Sequence, residues 1–229
     1  MGKRSNEQYA LITDFDQNAS FSEAFHTLFA NIRFNWEKHR DEVPSIHTML
    51  ITSATEYAEQ SAVAANLAIV AVQSGYKTIL VDADLHSPNL QKRFGLDCSM
   101  GLSDLLHEPS ITSQKVAECL QSTFISGLQI LCSGTPYTTG STLLLTPNLE
   151  KCMECIHQVL EQPDNTPGIV IYHSAPVLAG PDASVLGALT GQVVLTIVSG
   201  RTTREQAKEA QEQLAQAHAK LIGAIMVSL

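Results

Sequence analysis

Residues 48–66 constrain the fold more than any other segment of the chain. They read as an apolar strand, a short polar loop and an alanine-rich helix that begins near Gln60 and ends at Gly75, a residue type favoured just after a helix. Short apolar segments alternate with helical segments along the rest of the chain. The predicted strands are 46–52, 76–81, 128–132, 169–173, 193–198 and 221–227. This alternation predicts an α/β fold with a doubly wound, mostly parallel sheet and helices on both faces.

One domain accounts for most of the 229 residues. No composition shift or internal repeat divides 19–229, and a single α/β domain of this length is ordinary. Residues 1–18 are polar and are predicted to form a loosely held N-terminal arm, with the alternative that 9–12 dock as a short edge strand. An amphipathic helix is predicted from about 20 to 38, because apolar residues recur there at helical spacing.

The composition excludes several classes of function. The formal net charge of -9 argues against nucleic-acid binding, which depends on Lys and Arg side chains that neutralise phosphates. The longest apolar run, 62–72, has about half of the roughly 20 residues needed to span a bilayer, so no membrane insertion is expected. The polar start predicts no secretory signal. The five cysteines are irregularly spaced, which indicates reduced thiols and a cytoplasmic protein.

The candidate site lies where the predicted strands end, because ligands of doubly wound sheets sit beyond the carboxyl ends of the strands. A nucleoside triphosphate with its metal ion needs glycines in the loop, a Lys beside the phosphates, and a hydroxyl and a carboxylate for Mg²⁺. Ser61 supplies the hydroxyl, and Asp82 and Asp84 supply carboxylates. These three residues are the candidate metal ligands if a cation binds; the alternative is that the two carboxylates cap neighbouring backbone groups.

The loop before the helix is unsuited to an anion. Tyr57 and Glu59 stand where glycines are needed, and the neutral Gln60 stands where a Lys is needed. A non-Gly residue in a left-handed conformation costs roughly 1–2 kcal/mol. Glu56 and Glu59 add negative charge, and one like-charge pair at about 4 Å costs on the order of 1 kcal/mol in water and about 4 near a protein surface. Because the helix N-terminus returns only about 1 kcal/mol, the loop disfavours a phosphate.

Eight short motifs follow one another between residues 22 and 202. They are SEAFHTL (22–28), ITSA (51–54), AANLA (64–68), VDADL (81–85), FGL (94–96), GLSDLL (101–106), APVL (175–178) and SGRT (199–202). As an ordered set they resemble the cytoplasmic P-loop domain of the bacterial tyrosine kinases and chain-length regulators of capsular and exopolysaccharide synthesis, relatives of the MinD/ParA ATPases. The resemblance implies a three-layer, P-loop NTPase-like fold and a place in polysaccharide assembly.

The departures from that family fall on its nucleotide chemistry. Its Walker A loop, Gly-Glu-Gly-Lys-Ser-Thr, corresponds here to Tyr57, Ala58, Glu59, Gln60, Ser61 and Ala62. Its Walker B strand ends in Asp-Thr-Pro-Pro, and His173 takes the place of that carboxylate. Its second acidic motif keeps Asp82 and Asp84 but has His86 and Ser87 in place of two arginines. The resemblance therefore extends to the scaffold and stops at the phosphate-binding groups.

Two further departures concern assembly and regulation. The family's assembly helix, Glu-x-x-Arg-x-x-Arg, keeps Glu23 but has His26 and Phe29 in place of the arginines. The family's ring is therefore not expected, and a monomer or dimer is predicted. No tyrosine cluster follows the last predicted strand, so the usual autophosphorylation tail is expected to be absent.

These losses predict a pseudokinase, with no catalytic residues and no bound cofactor expected. It would serve as a regulatory or adaptor subunit in capsular or exopolysaccharide assembly and export. Its expected partner is the cytoplasmic segment of a membrane polysaccharide copolymerase or a homologous active kinase, which would recruit it to the inner face of the membrane. One alternative is a divergent ATPase or tyrosine kinase that binds Mg-ATP or Mg-ADP through Ser61, Asp82 and Asp84. Another is a module for a different small ligand in a remodelled pocket lined by Tyr57 and His173.

Several features allow an ordinary structural explanation beside a functional one. His173 either makes a simple hydrogen bond or joins the two carboxylates as a metal ligand. Cys152 and Cys155 have zinc-like spacing, but they share one helix without a second ligand pair, which is typical of structural cysteines. Phe29 either packs in the core or is exposed on a changed partner surface. The charged helix 203–218 is predicted to present a solvated face.

Overall fold

The computed structural model describes residues 11–14, 20–38, 46–57, 60–136, 140–161 and 166–228. The strands are β1 (Ile46–Ser53), β2 (Lys77–Asp82), β3 (Leu120–Ser122), β4 (Leu128–Leu131), β5 (Gly168–His173), β6 (Val193–Val198) and β7 (Leu221–Val227). The helices are α1 (Ser20–Lys38), α2 (Gln60–Gln73), α3 (Leu90–Phe94), α4 (Leu102–His107), α5 (Ser113–Cys119), α6 (Gly140–Leu144), α7 (Asn148–Leu160), α8 (Asp182–Thr190) and α9 (Arg204–Gln216). Short 3₁₀ turns cover Ile12–Asp14 and Val177–Ala179.

The seven strands form one sheet in the order β3-β4-β2-β5-β1-β6-β7. All neighbouring pairs are parallel except β3 and β4. Along β5, Ile169 and Ile171 belong to one core cluster, whereas Val170 and Tyr172 belong to the other. Because successive side chains of a strand point to opposite faces, the sheet is covered by helices on both sides. This confirms the predicted doubly wound α/β fold.

The antiparallel edge strand β3 is not among the six strands predicted from the sequence. The helix α5 ends at Cys119, and Leu120–Ser122 turn back to pair with β4. A tight connection is enough for an antiparallel pair, and Gly127 supplies a positive φ of 91° in that connection. The Thr123 hydroxyl also donates hydrogen bonds to the carbonyls of Ile125 and Leu128, which hold the turn in place.

The described part of the N-terminal arm packs against the domain. Leu11 and Ile12 are buried in the core beside α1 and α2, and the Ile12 N–H donates to Asn66 Oδ1 at 2.7 Å. The conformation of Ile12–Asp14 is a 3₁₀ turn, so these residues do not extend the sheet as an edge strand. The remaining residues of the predicted arm, 1–10 and 15–18, lie outside the described ranges.

The helix α1 packs through an aromatic cluster that decides the role of Phe29. Phe29 is 1% exposed and contacts Trp36 and Tyr76 edge to face, at centroid distances of 6.1 and 5.5 Å. Trp36 also stacks on His47 at 3.8 Å. The hypothesis of an exposed Phe29 on a partner surface is therefore wrong, because the register of α1 turns this side chain onto the sheet and α2.

The cysteines divide into a bonded pair and three free thiols, and the bonded pair corrects the prediction that all thiols are reduced. Cys98 and Cys132 are joined by a disulfide, although all five thiols were expected to be reduced. Their separation of 34 residues is closed only because the end of β4 lies beside the segment after α3. Cys119, Cys152 and Cys155 are buried free thiols, and burial raises the pKa of Cys152 to about 12.

Two further features concern the described helices. No described helix is long and apolar enough to cross a bilayer. The charged helix α9 presents mostly exposed side chains and buries Ala210 and Leu214, which confirms the predicted solvated face.

Candidate functional site

The predicted site residues meet at the carboxyl ends of β1, β2 and β5. His173 lies between two neighbours in the sheet, Ile51 on β1 and Asp82 on β2. Gln60 and Ser61 begin α2 immediately after the loop that follows β1. The sheet order therefore brings together residues that are far apart in sequence. Ala58 and Glu59, predicted to belong to the same loop, lie outside the described residues.

A cavity of about 490 Å³ opens beside these strand ends. Its walls come from the loop after β1, from the segment between β2 and α3, and from the segment between β5 and α8. Among the predicted residues, Tyr57, Gln60, Asp84 and His86 line it. This is the position expected for a ligand of a doubly wound sheet.

Gln60 joins the loop to the second strand through two hydrogen bonds. Its Oε1 accepts from the Ser53 hydroxyl at 3.1 Å, and its Nε2 donates to Asp84 Oδ2 at 3.3 Å. Asp84 Oδ1 accepts from the backbone N–H groups of His86 at 3.2 Å and Ser87 at 2.9 Å. Both oxygens of Asp84 thus accept hydrogen bonds within the protein, two of them from backbone N–H groups, as the backbone-capping alternative expects.

The hydroxyl of Ser61 accepts a hydrogen bond from Arg93, a residue that the sequence prediction does not include. Arg93 Nε donates to Ser61 Oγ at 2.5 Å, and both side chains are buried, with Arg93 7% exposed. Arg93 lies on α3 beside Lys92, and basic residues in the last turn of a helix usually remain solvated near its negative end. Helical spacing places Arg93 on the same buried face of α3 as Leu90 and Phe94, whereas Lys92 is exposed; the contact with Ser61 itself depends on how α3 packs against α2.

Asp82 is fully buried and incompletely hydrogen-bonded. Its Oδ2 accepts from the Leu90 N–H at 3.1 Å, whereas Oδ1 has no partner within ordinary hydrogen-bond geometry among the described residues. Burial raises the pKa of Asp82 from 3.8 to about 7, and the nearby charge of Asp84 acts in the same direction, whereas the backbone N–H groups of Leu90, Asp84 and Asn89 oppose the rise. At neutral pH, with no cation bound, the carboxyl group is therefore partly protonated.

His173 is held neutral where the resemblance implies a carboxylate. Burial lowers its pKa to about 4, although the charge of Asp84 opposes this, and the positive charge of Arg93 lowers it further. Neither ring nitrogen has a partner within ordinary hydrogen-bond geometry among the described residues, although the backbone of Ile51 lies close enough to act on the ring and to raise its pKa slightly. A neutral imidazole at this position contributes no negative charge toward a cation.

Tyr57 is built into the cavity wall. It is 5% exposed, and its hydroxyl donates to Thr196 Oγ1 at 3.2 Å. The Thr196 hydroxyl in turn donates to the carbonyl of Thr52 at 3.2 Å, which ties the loop to β6 and β1. Ala62 is buried on the first turn of α2, where it packs as part of the scaffold.

A buried aspartate lies behind the cavity wall that the segment between β5 and α8 forms. Asp182, at the start of α8, is 2% exposed, and its Oδ2 is 3.2 Å from Nε2 of the cavity-lining His86. No local sequence pattern indicates the His86–Asp182 contact, since the two residues belong to different segments that the sheet brings together.

The chain was compared with known proteins and structures. No protein-family model matches it. It is 36% identical over 205 residues to the tyrosine-protein kinase YwqD of Bacillus subtilis, covering 90% of this chain and 80% of that protein. It is 25% identical over 226 residues to the putative tyrosine-protein kinase CapB of Staphylococcus aureus, covering 99% and 92%. The crystal structure of the chimerical protein CapA2B2 matches with a TM-score of 0.81 and 28% identity, covering 95% of this chain and 88% of that one. The chain therefore belongs to the family of bacterial tyrosine-protein kinases and has their P-loop fold.

Proposed function

We propose that this chain is a non-catalytic member of the family, a pseudokinase that acts by binding a partner protein. The observation that supports this most directly is the pair of internal contacts at the start of α2. Gln60 bridges Ser53 and Asp84, and Arg93 donates to Ser61. The groups that Mg²⁺ and a phosphate would require are thereby engaged within the protein.

A magnesium ion does not fit the residues present. Mg²⁺ requires near-octahedral oxygen ligands, usually including carboxylates. Asp84 accepts hydrogen bonds through both oxygens, and Asp82 is fully buried with one oxygen bonded to the Leu90 N–H. The guanidinium of Arg93 also places a positive charge against the Ser61 hydroxyl. Two unit charges about 4 Å apart interact by about 4 kcal/mol near a protein surface, so Arg93 opposes a cation at Ser61.

A phosphate is disfavoured as well. Gln60 offers a neutral amide in place of a lysine, and Glu56 adds a carboxylate to the cavity wall. The backbone N–H groups of His86 and Ser87 donate to Asp84 and are not available to an anion. The alternative enzyme, which would bind Mg-ATP through Ser61, Asp82 and Asp84, requires these contacts to break.

The proposed role is that of a regulatory or adaptor subunit in capsular or exopolysaccharide assembly and export. Its partner would be the cytoplasmic segment of a membrane copolymerase or a homologous active kinase. A pull-down with that copolymerase segment tests the partner, and recovery of unrelated proteins only would contradict it.

A monomer or dimer, rather than the family's ring, is part of the same proposal. His26 and Phe29 replace the arginines of the assembly helix, and Phe29 is buried within this subunit, where it has no surface to offer a neighbour. An octameric mass in light scattering would contradict this assignment.

Titration with Mg-ATP and Mg-ADP is expected to give no binding up to millimolar concentration. The reason is the combined loss of cationic and metal-binding groups described above. Isothermal titration calorimetry measures this directly, and thermal unfolding supports it, since ligand at 100 times Kd stabilises by about 2.7 kcal/mol. Micromolar binding would instead favour the divergent ATP-binding enzyme.

Rebuilding the family's loop is expected to restore nucleotide binding more strongly when Arg93 is also replaced. The first variant carries Tyr57→Gly, Glu59→Gly, Gln60→Lys and His173→Asp. Adding Arg93→Ala frees Ser61 Oγ and removes the opposing charge. We expect the five-substitution variant to bind Mg-ADP at least about tenfold more tightly than the four-substitution variant, a difference of about 1.4 kcal/mol.

The matched control for that comparison replaces the exposed neighbour, Lys92→Ala, in the same four-substitution background. Circular dichroism verifies that each variant remains folded. Equal Mg-ADP affinities for the Arg93 and Lys92 variants would contradict the role assigned to Arg93.

A further inference from the structure

The cavity beside α2 has a charge opposite to the one a nucleotide needs. Its described lining includes the carboxylates of Glu56 and Asp84 and contains no Lys or Arg. Arg93 is the cationic side chain that contacts the site. It donates to Ser61 and does not line the cavity. Because low-dielectric walls strengthen the potential of the charges that line a cleft, this cavity attracts cations.

A buried oxygen atom in the cavity lining also lacks a hydrogen-bond donor. Asn89 lines the cavity, and its Oδ1 has no partner within the described ranges. Behind the lining, the buried Asp182 already contacts Nε2 of the cavity-lining His86 at 3.2 Å. An unpaired buried acceptor is costly, so a ligand that brings an N–H donor to Asn89 would stabilise this side of the site.

The shape and walls favour an organic cation over a metal ion. The described residues contain no group of three or more His, Cys, Asp or Glu side chains able to hold a metal. The volume of about 490 Å³ lies within the range of small-molecule sites. Apolar surface from Ala175, Pro176 and Pro181 lines the same cavity, and it can cover an aliphatic stem.

We propose that this cavity binds an ammonium or guanidinium group carried on an aliphatic stem. The charged end would lie among Glu56, Asp84 and Asn89, and the stem would pack on the prolines. A free polyamine and a Lys or Arg side chain of a partner share this chemistry. The inference rests on the proposed function, since a nucleotide and this cation would occupy the same cavity.

The test is a titration of the ¹⁵N-labelled chain followed by amide chemical shifts. The ligands are 1,6-diaminohexane and its uncharged counterpart 1,6-hexanediol, which have the same length. We expect the diamine to bind at least about tenfold more tightly, with the largest shifts at Glu56, Gln60 and Asn89. Added salt should weaken the diamine, because partly exposed charges are screened.

Two variants test whether the diamine binds in this cavity, and two further ligands test whether the natural cation is a free polyamine or a side chain of a partner. Glu56→Gln is expected to weaken diamine binding at least threefold, whereas Glu209→Gln, on the exposed face of α9, leaves it unchanged. Tighter binding of spermidine indicates a free polyamine, and tighter binding of N-acetyl-arginine amide indicates a partner side chain.

Equal affinities for the diamine and the diol, shifts confined to other surfaces, or no effect of Glu56→Gln would each overturn the inference. Mg-ATP is titrated into the same sample. Absence of both ATP and diamine binding overturns only the cation site, whereas ATP binding overturns the proposed function whatever the diamine does.

Discussion

Asp82→Asn is expected to stabilise the protein at pH 8 by up to about 4 kcal/mol and to have little effect at pH 4. The carboxyl has a pKa of about 7 in the folded state against 3.8 as its ordinary value, and each pKa unit corresponds to about 1.4 kcal/mol. Between these values the folded state binds more protons than the unfolded state. The contribution of Asp82 to stability is therefore present below pH 4 and is lost as the pH rises through 7.

Urea unfolding of wild type and variant at several pH values measures this difference. Three histidines make the paired comparison necessary. Burial lowers the pKa of His47 and His173 to about 4 and also lowers the pKa of His157, so the unfolded state binds more protons than the folded state as the pH falls below about 6.5. Their effect runs opposite to that of Asp82, because the stability they contribute is lost as the pH falls through this window. The effect of His47 and His157 is common to both proteins and cancels in the difference, and the comparison at pH 8 lies above the window of His173, the sheet neighbour of Asp82.

The control for Asp82→Asn is Asp97→Asn, the same change at an exposed aspartate. It should alter the free energy of unfolding by no more than about 0.5 kcal/mol at any pH. Destabilisation by Asp82→Asn at pH 8 would contradict the prediction, since it would mean that the ionised carboxylate is favourably compensated in the folded protein.

Gly101→Ala is expected to destabilise the protein by at least about 3 kcal/mol or to prevent folding, because the new methyl group meets backbone that cannot move aside. A Cβ at Gly101 would lie 2.1 Å from the carbonyl oxygen of Cys132 and 2.5 Å from the Gly134 nitrogen. Asp104 holds this close approach, since its Oδ2 accepts from the N–H groups of Gly101 at 2.8 Å and Thr135 at 3.1 Å.

Chemical unfolding of Gly101→Ala beside Gly223→Ala measures this effect. Gly223 lies in β7 with no atom within 4 Å of a Cβ, so its substitution should change stability by less than about 1 kcal/mol. Equal stabilities for the two variants would show that the segment from Gly101 to Asp104 can shift. If the prediction holds, the GLSDLL motif is retained for packing the end of β4 against α4, independently of nucleotide chemistry.

The sequence by itself was sufficient for the fold class and for the composition of the site. Apolar periodicity is a local property, so most strands and helices can be predicted from it. Their alternation along the chain predicts that the strands are parallel. The neutral Gln60 and the imidazole of His173 are visible without coordinates. The sequence also shows the pair Asp82 and Asp84. It does not show the hydrogen bonds that these carboxylates accept from the backbone of Leu90, His86 and Ser87.

Only the tertiary structure decided which groups at the site are already engaged. The contact between Arg93 and Ser61 spans 32 residues, and it depends on how a short helix packs beside α2. The burial of Phe29 and the disulfide between Cys98 and Cys132 likewise depend on contacts between distant segments. Local patterns specify which residue types are present, whereas burial, which sets the ionisation of Asp82 and His173, is a property of the assembled fold.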